Sequence, residues 1–381
     1  MRGIRRRWII LGAIIVSLFG FIFLRGPTPD IKVKPETLFS LDLGPIVFNV
    51  TNTILTTWIV VILMVVLAFL ATRRWELIPR GVQNVVEAVI EGFYNLVINV
   101  AGEKNGRRFF PVVATIFLFI LFANWFSLLP IFNVIGLAEE KVPDATVQEE
   151  EGEKLRGKFF VMEKVDVGPL PIAWVKPSNF SQLKGESIDE DDPEAAAKVQ
   201  AELDQGKFVG EIKPLLRGVN TDLNTTLALA IVSAIFVEYW GVSSLGFRTY
   251  GRKFFNFGGM VKGLLRLRFG QAFQGAIDAF VGILEFISET VRLISFSFRL
   301  FGNMFAGEVV ILIFTFLTPL VLTLLVYGLE LFVGLVQAFI FAVLTLVFGI
   351  MAVTHAEAAH AAGAHEGRES HSAERVQKSE T

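Results

Sequence analysis

The chain has 381 residues, 53% of them hydrophobic, and a formal net charge of only -2. The small net charge gives no support for nucleic-acid binding, and the absence of cysteine excludes disulfides, thiolate metal sites and cysteine nucleophiles. Several apolar runs reach the roughly 20 residues that a spanning helix needs, so we predict a membrane protein.

Residues 1–25 have the arrangement of a signal sequence, with a basic start and an apolar run from Trp8 to Leu24. No small-residue cleavage motif precedes Arg25. We therefore interpret this segment as an uncleaved signal-anchor and keep a cleaved signal sequence as the alternative. In both cases the basic residues predict a cytoplasmic N-terminus.

Residues 26–135 are predicted to form the first membrane part. Apolar runs at 52–71 and 109–134 predict two spanning helices. Between them, polar residues recur at spacings of three and four, opposite an apolar face: Asn84, Glu87, Glu91, Asn95 and Asn99. This pattern predicts an amphipathic helix at 82–100. We expect it to lie along the bilayer surface, and a helix of a small soluble domain is the alternative.

Residues 136–218 interrupt the apolar pattern. The stretch from Glu139 to Arg217 contains 18 acidic and 11 basic residues and no spanning run. We therefore predict an acidic insertion outside the cytoplasm, with short strands within 158–175 and a short helix at 195–203.

Residues 219–354 are predicted to contain one spanning helix at 224–245 and two long apolar segments at 276–315 and 320–353. The break near Pro319 predicts that the two long segments form a helical hairpin.

The tail at 355–381 is rich in Ala, Gly, His and Glu, and we expect it to be disordered in the cytoplasm. A metal site on its histidines is the alternative to a flexible tail: His355, His360, His365 and His371. We predict neither a metal nor another cofactor.

Lysine and arginine residues indicate the orientation. Basic residues cluster at 73–80, 104–108 and 248–268, and the acidic insertion belongs to the opposite side. This pattern predicts cytoplasmic N- and C-termini, provided that the signal-anchor is retained.

Arg299 lies deep within an apolar segment, where a charged side chain costs about 2.5–3.5 kcal/mol or more. Such an arginine usually faces water or a partner charge. The alternatives are an arginine that extends to the membrane surface or one that pairs internally to hold two helices.

The predicted hairpin places polar residues at two depths. If the turn centres near 318–319, Arg299 shares a level with Gln337, and Glu308 shares a level with Glu330. At a rise of about 1.5 Å per residue, the two levels are roughly 10–14 Å apart. We expect the two carboxylates to share protons, and small residues in the hairpin would allow close approach of helices: Gly302, Gly307 and Gly334.

A second polar stripe precedes Arg299 at helical spacing: Glu285, Ser288, Arg292 and Ser295. It suggests a second aqueous path that ends at Arg299. The alternative for Arg292 is a simple intrahelical ion pair with Glu289.

Several motifs together resemble the a-subunit family of F-type ATP synthases. The motifs are Arg299-Leu-Phe-Gly-Asn-Met-Phe-Ala-Gly-Glu308, Gln337-Ala-Phe-Ile-Phe, Asp222-Leu-Asn-Thr-Thr226, Asn124 followed by Leu128-Leu-Pro130, and Ile78-Pro79 followed by Gln83-Asn84 and Glu87. The resemblance covers about residues 45–135 and 215–355 in the expected order.

The resemblance implies that Arg299 is the essential arginine facing the membrane carboxylate of a rotating ring of c subunits. It implies an external half-channel at Glu308 and Glu330, with Asn303 and Gln337 near the ring. It also implies an internal half-channel at Glu285 and Ser288. Asn124 and Asp222 are carried over as residues of the proton path.

The chain departs from the family pattern at three places. Relatives often have a histidine at one of the two carboxylate levels, where this chain has Glu308 and Glu330. The insertion of about 80 residues is unusual, and the N-terminal anchor is not universal.

The sequence thus predicts an all-α multi-pass membrane protein. The resemblance implies that a long tilted C-terminal hairpin packs against the c ring, and the acidic charge predicts that the insertion lies outside the membrane. The resemblance implies a stator subunit that conducts protons in the cell (inner) membrane and is not catalytic alone. Its partners would be the c ring, b-type peripheral stalk subunits, the rest of the synthase and lipids. The alternatives are an ion-coupled secondary transporter and a structural scaffold, but we find no internal repeat typical of transporters.

Overall fold

The computed structural model describes most of the chain. The described residues are 12, 15–16, 31–42, 44–45, 47–73, 81–132, 135–140, 160–162, 164–167, 170–174, 208–254, 258–265, 268–318 and 321–379. The predicted helix at 195–203 and nearly all of the predicted signal-anchor lie outside these residues.

Helices form most of the described part of the chain. Their bounds are Asn52–Thr72 (α1), Val82–Ser127 (α2), Leu223–Leu245 (α3), Phe247–Phe254 (α4), Gly258–Leu265 (α5), Phe269–Leu317 (α6) and Val321–Ser379 (α7). Five of them, α1, α2, α3, α6 and α7, contain stretches long and apolar enough to cross a membrane. The predicted fold class, an all-α multi-pass membrane protein, is confirmed.

Contacts divide the chain into two compact units. Unit 1 comprises Met1–Val66, Ile120–Asp222 and Phe301–Val336. Unit 2 comprises Leu67–Phe119, Leu223–Leu300 and Gln337–Thr381. Because α1, α2, α6 and α7 are long, each of them contributes residues to both units.

Helix α2 combines two helices that the sequence predicts separately. Gly102 breaks it with a φ of 75°, a left-handed conformation that glycine adopts without steric cost. The two arms fold back on each other in unit 2, where the rings of Phe93 and Phe117 stack at 4.6 Å. The apolar face of the first arm therefore packs, through Phe93, on the chain itself.

The second arm of α2 ends at Ser127, not at 134 as predicted. Turns follow it, with hydrogen bonds from Leu128 N to Trp125 O and from Phe132 N to Leu129 O. Pro130 lacks an amide hydrogen and cannot continue the helical ladder, which explains the earlier end.

The insertion contains a five-stranded antiparallel sheet with the strands Ile135–Glu140 (β3), Phe160–Met162 (β4), Lys164–Val167 (β5), Leu170–Trp174 (β6) and Phe208–Pro214 (β7). The strand order is β4-β7-β3-β6-β5. The short strands predicted within 158–175 are confirmed. Asn52 Nδ2 donates a hydrogen bond to Pro214 O at 3.3 Å, so the last strand is tied to the start of α1.

Three features were not predicted. A hairpin of Thr37–Asp42 (β1) and Val47–Thr51 (β2) precedes α1. The short helices α4 and α5 occupy part of the basic stretch after α3. Finally, α7 continues to Ser379, whereas the composition of 355–381 predicts disorder. Alanine and glutamate are strong helix formers, which explains the continuation.

Candidate functional site

A buried arginine and two carboxylates form a group in unit 1, here named the Arg217 cluster (Arg217, Glu308 and Glu330). Arg217 Nε lies 3.7 Å from Oε2 of Glu308, and the two side chains are only 6% and 19% exposed. The carboxylate of Glu330 rests against Gly307, where any Cβ would collide with it. Gly307 directly precedes Glu308, so Glu330 reaches α6 one residue before the position predicted to share its depth.

The end of α2 is fastened to α7 in unit 1. Asn124 Nδ2 donates a hydrogen bond to Gly334 O, and Trp125 Nε1 donates one to Leu331 O, both at 3.1 Å. A Cβ on Gly334 would lie 3.1 Å from the Cβ of Asn124, so glycine is what lets the helices approach this closely. The two bonds fix the depth of α7 beside α2.

The two predicted residues outside the hairpin, Asn124 and Asp222, both belong to buried polar contacts. Asp222 accepts a hydrogen bond from the hydroxyl of Thr53 at 2.8 Å. Asn124 Oδ1 accepts one from Asn220 Nδ2 at 2.7 Å. These bonds fix the positions of α1, α2 and the segment before α3 around the polar residues of unit 1.

A cavity of about 90 Å³, the acidic cavity, lies in unit 2. Its polar lining comes from α3 and α6: Ser233, Glu238, Glu285, Ser288, Glu289 and Arg292. Glu285 and Ser288 are predicted residues, and Glu238, the single carboxylate of α3, joins them. A water molecule needs about 10–15 Å³ of such space, so the cavity has room for a chain of water molecules between carboxylates.

The contacts of Arg292 differ from the intrahelical ion pair with Glu289 that the sequence offered as an alternative. Its guanidinium lies 4.1 Å from the centroid of the Phe348 ring, a cation–π contact. Within the described part of the chain, no carboxylate forms an ion pair with Arg292, so the simple pair with Glu289 is wrong. The aromatic face of Phe348 replaces it, because α7 brings that ring to the lining of the cavity.

Tyr250 of α4 lies beside the acidic residues of unit 2. Burial, followed by the nearby carboxylate of Glu238, raises the pKa of the Tyr250 phenol far above its usual range, and the charges of Glu289 and Glu285 act in the same direction. The phenol is therefore protonated at neutral pH. A Cβ on Gly241 would lie 2.5 Å from the Tyr250 ring, so this glycine allows α4 to fold back onto α3.

Arg299 and Gln337 have opposite environments in unit 2. Gln337 is only 3% exposed, whereas Arg299 belongs to the exposed face of α6. The ring of Phe296 lies 5.3 Å from that of Phe341, which agrees with the predicted register of the hairpin. In the described part of the chain, Arg299 has no ion-pair partner, and its guanidinium lies 5.9 Å from the Phe296 ring.

The exposed residues around Arg299 recur at spacings of three and four and define the exposed stripe of α6: Val291, Ser295, Phe298, Arg299, Gly302, Asn303 and Ala306. Two predicted residues, Ser295 and Asn303, belong to this stripe. Ser295 was predicted to continue the polar path of Glu285 and Ser288. It does not line the acidic cavity, because it belongs to the exposed face.

Sequence reasoning missed Arg217, Glu238 and Asn220 as site residues. Two signals were present. Glu238 is the only charged residue of an apolar spanning helix, and Arg217 lies five residues before Asp222, at the end of the insertion. Arg217 was counted only as one charge among many in the insertion.

Comparison with known proteins identifies the family. The family model described as "ATP synthase A chain" matches residues 54–349, more than three quarters of the sequence. The chain belongs to this family. The match includes the Arg217 cluster, the lining of the acidic cavity up to Phe348, and Arg299.

Individual members of the ATP synthase A chain family are similar over most of their length. ATP synthase subunit a of Moorella thermoacetica is 29% identical over 316 residues, which cover 83% of this chain and 95% of the relative. ATP synthase subunit a of Gloeobacter violaceus is 26% identical over 304 residues, covering 80% and 84%. That of Campylobacter jejuni subsp. doylei is 25% identical over 291 residues, covering 76% and 84%.

Proposed function

We propose that the chain is the proton-conducting stator subunit of the membrane sector of an F-type ATP synthase. It provides two aqueous half-channels that load and unload the carboxylates of a rotating c ring, and it thereby couples proton flow to ATP synthesis. It resides in the cell (inner) membrane with both termini in the cytoplasm. ATP chemistry takes place on other subunits, and b-type peripheral stalk subunits hold this one in place.

Arg299 carries this proposal. It is exposed on a helix long and apolar enough to cross a membrane, and no carboxylate of the described chain pairs with it. A cation facing lipid is costly, so its position calls for a partner charge on another molecule. A ring carboxylate meets this need, because an opposite charge favours the ionised form of an acid.

The exposed stripe suits a moving partner. Small residues next to Arg299 let another helix approach, and Phe298 and Val291 present an apolar surface. A protonated ring carboxylate is neutral and can travel through lipid, whereas beside Arg299 it loses its proton. Each charge that crosses the membrane potential contributes about 2.3 kcal/mol per 100 mV, which turns the ring.

The two half-channels have candidate residues in different units. The Arg217 cluster in unit 1 supplies carboxylates for the external path, and the acidic cavity in unit 2 supplies them for the internal path. Two half-channels that do not connect directly would prevent protons from leaking straight through.

Cysteine cross-linking in the purified complex tests the partner. Since the chain has no cysteine, Val291→Cys introduces a single thiol on the exposed stripe. We expect it to cross-link to a cysteine placed in the carboxylate-bearing helix of the ring subunit. Val65→Cys is a matched control, because both valines are exposed on spanning helices, by 57% and 63%, but Val65 belongs to α1.

Equal cross-linking at both positions, or none at Val291, would contradict the proposed ring contact. A chain that purifies without a ring and transports a solute would favour the secondary transporter.

A further inference from the structure

Arg217 forms hydrogen bonds through its backbone N–H and through both terminal nitrogens of its guanidinium. Its Nη1 donates a hydrogen bond to Lys34 O at 3.0 Å, and its Nη2 donates one to Lys32 O at 2.6 Å. Its backbone N–H donates to the hydroxyl oxygen of Thr56 at 3.2 Å. These contacts fix the guanidinium between the segment before β1 and helix α6, with Nε 3.7 Å from the Glu308 carboxylate.

The carbonyl contacts do not by themselves account for a buried charge. Carbonyl oxygens also accept hydrogen bonds from neutral donors, whereas burying a cation is costly unless an opposite charge compensates it. Glu308 supplies that charge at 3.7 Å. The geometry therefore assigns two tasks to Arg217, a structural one at the carbonyls and an electrostatic one at the carboxylate.

The formal charges of the Arg217 cluster balance when the cluster binds one proton. With both carboxylates ionised, one cation and two anions sum to -1, and one added proton brings the sum to zero. The Glu330 carboxylate lies against Gly307, the residue before Glu308, so the second carboxylate of the cluster approaches α6 close to the ion pair of Arg217 and Glu308.

We propose that Arg217 is a positioning residue of the external proton path. It holds the Glu308 carboxylate in place and provides the fixed charge beside which Glu308 and Glu330 exchange a proton. This inference rests on the proposed function. It gives the two arginines different tasks, since Arg299 is exposed toward a moving partner and Arg217 is buried beside a permanent one.

ATP-driven proton pumping by membrane vesicles containing the whole complex tests the inference. The variants are Arg217→Gln, Arg217→Lys, Glu308→Gln and the double variant Arg217→Gln/Glu308→Gln, with assembly checked by co-purification. Arg107→Gln is the control, because Arg107 is 66% exposed and pairs only with Glu103 on its own helix in the described structure.

We expect Arg217→Gln and Glu308→Gln each to lower the pumping rate by about tenfold or more, and the double variant to be no slower than either single variant. Arg217→Lys keeps the charge but loses the fork that reaches both carbonyls, so it should recover part of the rate. The control should pump at the wild-type rate.

The outcomes separate the inference from the proposed function. If Glu308→Gln pumps normally, the proposed external path is wrong. If Glu308→Gln is slow but Arg217→Gln is normal, or the two effects multiply without rescue by lysine, only the inference is wrong. If Arg217→Gln fails to assemble and the double variant assembles, an uncompensated charge is the cause and the inference stands. If Arg217→Gln and the double variant both fail to assemble, Arg217 has a structural role alone and the inference is wrong.

Discussion

Three arginines illustrate how environment decides the task of one residue type. Arg217 is buried beside Glu308, Arg292 lies over the ring of Phe348, and Arg299 is exposed on α6. The first has a fixed anionic partner, and the second has an aromatic one. Arg299 lacks an anionic partner in the described chain, so it is the one suited to a charge on another subunit.

Glu308 and Glu330 are expected to act as one relay. We predict that Glu308→Gln and Glu330→Gln each slow coupled proton flow by about tenfold or more, and that the double variant is less impaired than the product of the two effects. Proton flux through wild type, both single variants and the double variant gives the comparison. Fully multiplicative losses would show that the two carboxylates work independently.

Some site residues were predictable because helical periodicity and hairpin symmetry place them. The average of 308 and 330 falls at the predicted turn, and Glu330 does lie beside Gly307. Arg217 was not predictable, because its partner Glu308 is distant in sequence and no local pattern links them. Only the folded chain brings the end of the insertion to α6.

At the scale of helices, glycines of α6 and α7 allow close contacts with neighbouring helices. Gly307 admits the Glu330 carboxylate, and Gly334 admits Asn124 of α2. A side chain at either position would displace a polar group that the proposed path or the packing of α2 needs. The hairpin therefore combines close packing with polar residues at fixed depths.

Substitution of Gly307 tests this role. We predict that Gly307→Ala leaves the complex assembled, since alanine favours helix by about 1 kcal/mol over glycine. Its Cβ must push the Glu330 carboxylate aside, so pumping should fall by about tenfold. Gly92→Ala is the matched control, because a Cβ there meets nothing within 4 Å. Normal pumping by Gly307→Ala would contradict the placement of Glu330.

The spanning elements were largely predictable because length and apolarity decide them, as α1 and α3 show. The fold-back of α2 was not predictable, because it depends on the left-handed φ of Gly102 and on the contact of Phe93 with Phe117. Similarly, the position of α4 depends on Tyr250, whose ring packs over Gly241 of another helix.

At the scale of the whole molecule, the family match and the charge pattern give different information about the insertion. The match to the family extends from residue 54 to residue 349 and so includes the insertion, yet the insertion has a sheet of its own. Charge asymmetry alone predicts its side of the membrane.

Labelling tests this topology. We predict that a membrane-impermeant thiol reagent modifies Ser187→Cys from outside the cytoplasm and Lys104→Cys only from the cytoplasmic side. Each variant carries a single thiol, because the chain has no cysteine. Labelling of Ser187→Cys only from the cytoplasm would overturn the orientation of every span.

The central claim is that Arg299 couples this chain to the carboxylates of a rotating ring. ATP-driven proton pumping by vesicles with the assembled complex tests it most directly, with Arg299→Ala and Arg299→Lys compared with the exposed control Arg107→Ala. We predict that both Arg299 variants assemble but pump no protons above background, since the point charge of lysine does not replace the planar guanidinium. Coupled pumping at the wild-type rate in either Arg299 variant would contradict the account.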